Sequence, residues 1–238
     1  MFRIKSIHFA VLLATLFIVA PKAQAQSTIF NIPSTDVVAP HSGYFEADFV
    51  SRFAAADKGG FQTYGSRLVF GPMKKLELGF NTFYTKAGDV AVPVEIQPNF
   101  KYQFFSDEKR GLAASFGGLA YVPVNHRTGT DTFGLIYSTI SKKVKTDFGP
   151  RMTGGFYGLV GRAKDQGTRS GALVGFEQPL HPKVNFVGDW YSGKNRFGYA
   201  AAGFSFVVSK RSLLYVGYNV GNSGARNNFL SVFYGYNF

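Results

Sequence analysis

Three features of the chain predict one fold class. Apolar and polar residues alternate with period two over stretches of about ten residues. Short turns and longer loops take turns between those stretches. The amino terminus carries an export pattern. Together they predict an all-β protein: a closed antiparallel transmembrane β-barrel of about twelve strands, after a cleaved signal peptide. The composition agrees. Among 238 residues there are 26 Phe, 13 Tyr and 28 Gly, with 17% charged residues and no Cys. High aromatic content argues against disorder, and a chain without Cys has neither disulfides nor thiolate metal sites.

In order along the chain, residues 1–25 read as the signal peptide. Arg3 and Lys5 form a basic start, Phe9 to Ala20 an apolar run, and Ala23-Gln24-Ala25 a small-residue cleavage site. The run is too short for a spanning helix, which needs about 20 residues. Loss of Arg3, Lys5 and Lys22 leaves a formal charge of +9, from 23 bases and 14 acids. Residues 26–42 precede the first strand and contain Pro33 and Pro40. They either fold into the lumen as a partial plug or lie in the periplasm; the sequence leaves both open.

Residues 43–238 form the predicted barrel. Strands are expected near 43–53, 61–71, 76–85, 92–105, 111–122, 133–144, 151–162, 170–180, 183–192, 198–209, 212–220 and 227–238. The fourth sets the period: Val92, Val94, Ile96, Pro98, Phe100, Tyr102 and Phe104 alternate with Glu95, Gln97, Asn99, Lys101 and Gln103. Pro98 cannot donate to a ladder, which suggests a bulge there. In the first strand, Phe45, Ala47 and Phe49 oppose Glu46, Asp48 and Arg52. In the sixth and seventh the faces are ambiguous, because Ile136 and Ile140 compete with Leu135 and Tyr137. Gly117-Gly118 and Gly154-Gly155 read as positions of packing or bending. Pro72–Lys75, Leu180–Lys183 and Ser209–Ser212 are short turns; Ala54–Gly60, Lys86–Ala91, Pro123–Thr132, Ala163–Arg169 and Gly221–Asn227 are longer loops. Twelve strands spaced about 4.8 Å and tilted about 40° give a backbone radius of roughly 12 Å. Such a bore either passes a small solute or is filled by side chains.

The carboxy-terminal run Leu230, Val232, Tyr234, Tyr236, Phe238 alternates and ends on an aromatic residue. It resembles the signal that the barrel-assembly machinery reads, carried by Tyr234, Tyr236 and Phe238. The chain thus resembles the outer-membrane β-barrels of Gram-negative bacteria. Within that class, NIPSTDVVAPHSGYFEADF at 31–49 and VGDWYSGKNRFGYAAAGFSF at 187–206 resemble the small transporter-like barrels grouped with the phenol-degradation MetA-pathway proteins. The resemblance implies an outer-membrane location and passive passage of small solutes, hydrophobic or aromatic ones included.

Alternation assigns Glu46, Asp48, Arg52, Arg67, Glu77, Asn81, Glu95, Gln97, Lys101, Glu177 and Asp189 to the lumen. These residues either form a polar conduit favouring cationic or neutral solutes, or a filling network in which Arg52, Arg67 and Lys101 neutralise carboxylates. Phe229 and Phe233 share the inward parity. They line an apolar stretch of lumen or mark a register error. Outward aromatics read as lipid contact, with tyrosines and Trp190 near the interfacial girdles.

An enzyme is the disfavoured alternative. His41, His126 and His181 are the histidines beyond residue 25, and the strand map places His126 at the opposite end from the other two. No HExxH, GxSxG or Walker loop is present. No cofactor and no metal site is expected. A further alternative is a non-conducting structural barrel that interacts with lipopolysaccharide. The long loops carry Lys58, Lys86, Arg127, Arg162, Lys164, Arg169, Lys194, Arg196 and Arg226 against four aspartates, a basic rim suited to phosphate groups. Nucleic acid is not an expected partner, because bases sit at both ends and export removes access to the genome. The expected partners are outer-membrane lipid and lipopolysaccharide, the assembly machinery and a small-molecule solute.

Overall fold

A computed structural model describes residues 27–128, 131–161, 167–224 and 227–238. The predicted signal peptide lies outside the described residues, as do Arg162, Lys164 and Arg226 of the loop cations. Twelve strands close into one barrel: β1 (Gly43–Arg52), β2 (Phe61–Met73), β3 (Leu76–Lys86), β4 (Glu95–Asp107), β5 (Leu112–Pro123), β6 (Phe133–Lys143), β7 (Arg151–Gly161), β8 (Ser170–His181), β9 (Val184–Tyr191), β10 (Tyr199–Val207), β11 (Ser212–Gly221) and β12 (Phe229–Asn237). Every strand pairs antiparallel with its sequence neighbours, and β1 closes on β12 through pairs such as Phe45 with Tyr236 and Phe49 with Val232. Backbone bonds between Gly43 and Phe238, each 2.9 Å, finish the seam. Closure removes the edges whose free N–H and C=O groups hydrocarbon cannot satisfy.

The exterior is a band of exposed apolar side chains that includes Phe45, Leu68, Phe80, Phe100, Phe116, Ile136, Ile140, Phe156 and Phe204. An apolar surface this continuous is untenable in water and natural in lipid. Tyr64, Tyr84 and Trp190 sit near the long-loop end, and Tyr102, Tyr234 and Tyr236 toward the short-turn end, all exposed. These are girdle positions. The ambiguity in β6 and β7 resolves cleanly. Leu135, Tyr137, Thr139, Tyr157 and Leu159 are buried inside, while Ile136, Ile140, Met152 and Phe156 face out.

Two expectations for β4 need correction. The strand begins at Glu95, so Val92 and Val94 belong to the preceding loop. The bulge falls between Tyr102 and Phe105, not at Pro98. Pro98 keeps register with Phe80 of β3, and Ile96 and Asn99 flank it in one unbroken register with β5. A missing N–H therefore costs one ladder bond without inserting a residue.

Residues 27–40 enter the lumen. Ile29, Phe30, Ile32, Ser34 and Thr35 are completely buried. The segment is a small hairpin: Thr28 bridges Pro33, Ile29 N–H donates to Ile32 O (2.9 Å) and Ser34 N–H to Ser27 O (3.1 Å). Of the two destinations open at the sequence level, the lumen is the one observed.

Candidate functional site: a plugged lumen

The plug is held by side chains from nearly the whole circumference. Asp189 of β9 accepts hydrogen bonds from three successive backbone N–H groups, of Phe30, Asn31 and Ile32, at 2.5–3.0 Å. Consecutive N–H groups converging on one carboxylate make an anion nest, here turned toward an anion of the wall. Asn31 Nδ2 also donates to Asn219 Oδ1 of β11 at 2.7 Å. On the opposite wall, Lys101 Nζ donates to Ser27 O at 2.7 Å and pairs with Glu77 at 3.3 Å. Ser27 Oγ and Val38 N–H both donate to Glu77. Lower in the barrel, Gln103 Nε2 donates to Thr35 O (2.9 Å), Thr35 Oγ1 meets Ser141 Oγ (2.6 Å), and Arg151 bridges Asp36 and Glu177.

Apolar packing complements these bonds. Phe30 lies against Phe233 (centroids 5.2 Å) and Tyr215 (6.5 Å). Two glycines make the seat. A Cβ on Gly175 would stand 2.4 Å from Ile29 Cδ1, and one on Gly217 would stand 2.6 Å from Phe30 Cζ. Residues 31–49 and 187–206 thus meet in space, since Asn31 and Ile32 of the first stretch donate to Asp189 of the second.

Above the plug lies a cavity of about 570 Å³, floored by Ser27, Thr28, Asn31 and Pro33. It reaches from Tyr44, Val69 and Glu77 up to the loop-end rim at Val92, Pro93 and Asp131. Arg67 stands at mid-height. Its Nε is 2.6 Å from Asp48 Oδ2 and 3.5 Å from Glu46 Oε1, and its guanidinium lies 5.7 Å from the Phe83 ring and 5.5 Å from the Phe233 ring. Tyr44 Oη donates to Glu46. Two carboxylates share one guanidinium on this wall, which makes it charge-dense and leaves carboxylates in formal excess.

The residues assigned to the lumen by alternation fall into separate groups. Glu46, Asp48 and Arg67 form one cluster; Glu77 and Lys101 hold the plug; Asn81 and Gln97 bond each other at 3.2 Å. Glu177 pairs with Arg151 at the short-turn end, and Glu95 lies at the cavity mouth. Asp189 anchors the plug. Arg52 is elsewhere, at the loop end of β1 beside Phe53–Ala56, Gly60 and Lys86, away from the main cavity. Alternation continues to the strand end, but the wall there opens into the first loop. Phe229 and Phe233 do face inward, which removes the suspected register error: Phe229 packs on Phe61 and Tyr199, and Phe233 on the plug. His41 and His181 lie at the short-turn end and His126 in a loop at the other. The signal for the plug was present as Ile29-Phe30-Asn31-Ile32, an apolar cluster ahead of the first strand and without strand alternation. Arg196 was placed by sequence among the cations of the basic rim. It instead turns inward onto Glu95, at 2.9 Å.

The fold and lumen define a class: a twelve-stranded transmembrane barrel filled in part by its own amino-terminal segment. Comparison with solved structures gives the same fold. The NanC porin superposes with a TM-score of 0.55 at 11% identity, over 80% of this chain and 97% of that one. An outer-membrane channel from Pseudomonas putida F1 gives 0.54 at 12% identity, over 85% and 97%. An outer membrane phospholipase A from Escherichia coli gives 0.47 at 12% identity, a similarity too low to bear on chemistry. No protein-family model and no curated protein matches the sequence.

Proposed function

We propose that the protein is an outer-membrane channel for small solutes, closed at rest by residues 27–40 and loaded from its loop end. The carrying observation is the plug beneath a cavity of about 570 Å³ that reaches the rim. A cavity of this size suits a small organic molecule. The mechanism is diffusion without covalent chemistry: solute enters the cavity, and passage to the short-turn end follows withdrawal of the hairpin. The shared fold with two outer-membrane channels supports the channel reading and the location. The export pattern at residues 1–25 and the terminal Tyr234, Tyr236 and Phe238 support delivery by the assembly machinery. The resemblance at 31–49 and 187–206 supports hydrophobic or aromatic solutes.

A second reading is favoured by the number of plug anchors: a non-conducting barrel whose rim cations, among them Lys58, Lys86 and Lys194, meet lipopolysaccharide phosphates. Planar-bilayer recording of the chain with and without residues 27–40 separates the two. The channel reading expects a mostly silent intact protein and steady single-channel steps after the deletion. A folded deletion variant that never conducts would leave the second reading standing.

A further inference from the structure

The mouth of the cavity holds a cation already. The connection between β9 and β10, residues 192–198, leans over the lumen and is tied down on both sides. Asn195 Nδ2 donates to Tyr157 Oη and to Thr168 O, each at 2.7 Å, and Asn222 Nδ2 donates to Gly193 O at 2.6 Å. From this bridge Arg196 reaches across to β4. Its two Nη atoms engage Glu95 Oε2 and Oε1 at 2.9 and 3.1 Å, a bidentate pair. Its guanidinium carbon also lies 5.1 Å from the Tyr121 ring, 5.4 Å from Phe197 and 5.6 Å from Phe133. Tyr121 and Phe133 stack at 4.7 Å and 7°, and Gln97 Nε2 holds Glu95 Oε1 at 2.7 Å. Three π faces and an oriented carboxylate thus surround one planar cation.

This box holds a tethered cation. The Arg196 side chain is 41% exposed, so its departure into solvent is open, whereas Glu95 is only 15% exposed. The cavity lining carries four carboxylates, Glu46, Glu77, Glu95 and Asp131, against Arg67 and Arg196, with Lys101 paired to Glu77 from below. With Arg196 displaced, Glu95 needs another cation, and the cavity beneath has room for the body of the molecule bearing it. We propose that the mouth binds planar organic cations, of guanidinium or amidinium type, which replace Arg196 between Glu95 and the three rings. The inference rests on the loop-end loading proposed above and narrows the solute to a charge and a shape.

The test is calorimetric and needs no conduction, so it fails or succeeds independently of the plug experiment. The full chain in detergent is titrated with benzamidine and with benzamide, its neutral isostere. Arg196→Ala, which vacates the box, should bind benzamidine roughly tenfold more tightly than the unaltered protein and prefer it over benzamide by a similar factor. Glu95→Gln added to Arg196→Ala should abolish that preference. Arg196→Gln, which keeps length and polarity, serves if the alanine variant fails to give a folded barrel. Equal binding of benzamide and benzamidine, or no gain when Arg196 is removed, overturns the proposal.

Discussion

Removing the carboxylate of Asp189 should undock the plug while leaving the barrel closed. Asp189→Ala deprives the N–H groups of Phe30, Asn31 and Ile32 of their acceptor. Hydrogen bonds to a charged group contribute about 1.5–3 kcal/mol each, and buried donors left unmade cost a similar amount. Water entering the gap restores part of that loss. The net cost is about 3 kcal/mol, which shifts the docked-to-undocked ratio by roughly a hundredfold. Because the chain has no cysteine, one introduced thiol reports this directly. Ser34 is completely buried in the plug. In Ser34→Cys, maleimide labelling of the folded protein should be slow. Adding Asp189→Ala should speed it by about the same hundredfold when the plug opens and recloses faster than the thiol reacts. Asp189→Asn keeps one acceptor oxygen and should fall between. An unchanged labelling rate in a folded Asp189→Ala barrel would refute the reasoning that this carboxylate holds the plug.

Further predictions concern the seat and the wall. Gly175→Val should loosen the hairpin and raise bilayer conductance, because its Cβ would lie 2.4 Å from Ile29 Cδ1 and 2.9 Å from Ile32 Cδ1; Ile29→Ala together with Ile32→Val should restore closure in that background. Phe80→Arg should lower the yield of folded barrel in lipid vesicles more than Asn81→Arg does. Phe80 faces lipid, where arginine costs about 2–4 kcal/mol at mid-membrane, whereas Asn81 lines the cavity. Arg151→Ala should weaken both plug and barrel, seen as faster proteolysis of the amino-terminal segment and a lower unfolding temperature. It strips the partner from Asp36 and from Glu177 together.

The strands were legible because lipid outside and polar or packed groups inside force a period of two on the residues themselves. Even the doubtful β6 obeys it, with Ile136 and Ile140 outward and Thr139 and Ser141 inward. The extra β4 residues, Val92 to Val94, alternate as a strand does, yet Pro93 falls among them; Val94 O still accepts from Val124 N–H at 2.9 Å, but the strand itself begins at Glu95. The plug was not legible to the same degree. Its chief acceptor lies 157–159 residues away, and its donors there are backbone N–H groups, which every residue but proline supplies. The role of Arg196 was hidden for a related reason. Charge and loop position suggest a solvated cation, and only the lean of residues 192–198 across the mouth brings it to Glu95 on a distant strand.

Whether the hairpin in the lumen governs passage is tested most directly by tethering it. Thr35 Oγ1 and Ser141 Oγ are 2.6 Å apart, one on the plug and one on β6. The pair Thr35→Cys and Ser141→Cys, placed in the Asp189→Ala background, can be locked by oxidation and released by reductant within one bilayer recording. Current that disappears on oxidation and returns on reduction is the predicted result. A cross-link that forms while current continues unchanged would contradict the claim that residues 27–40 close this barrel.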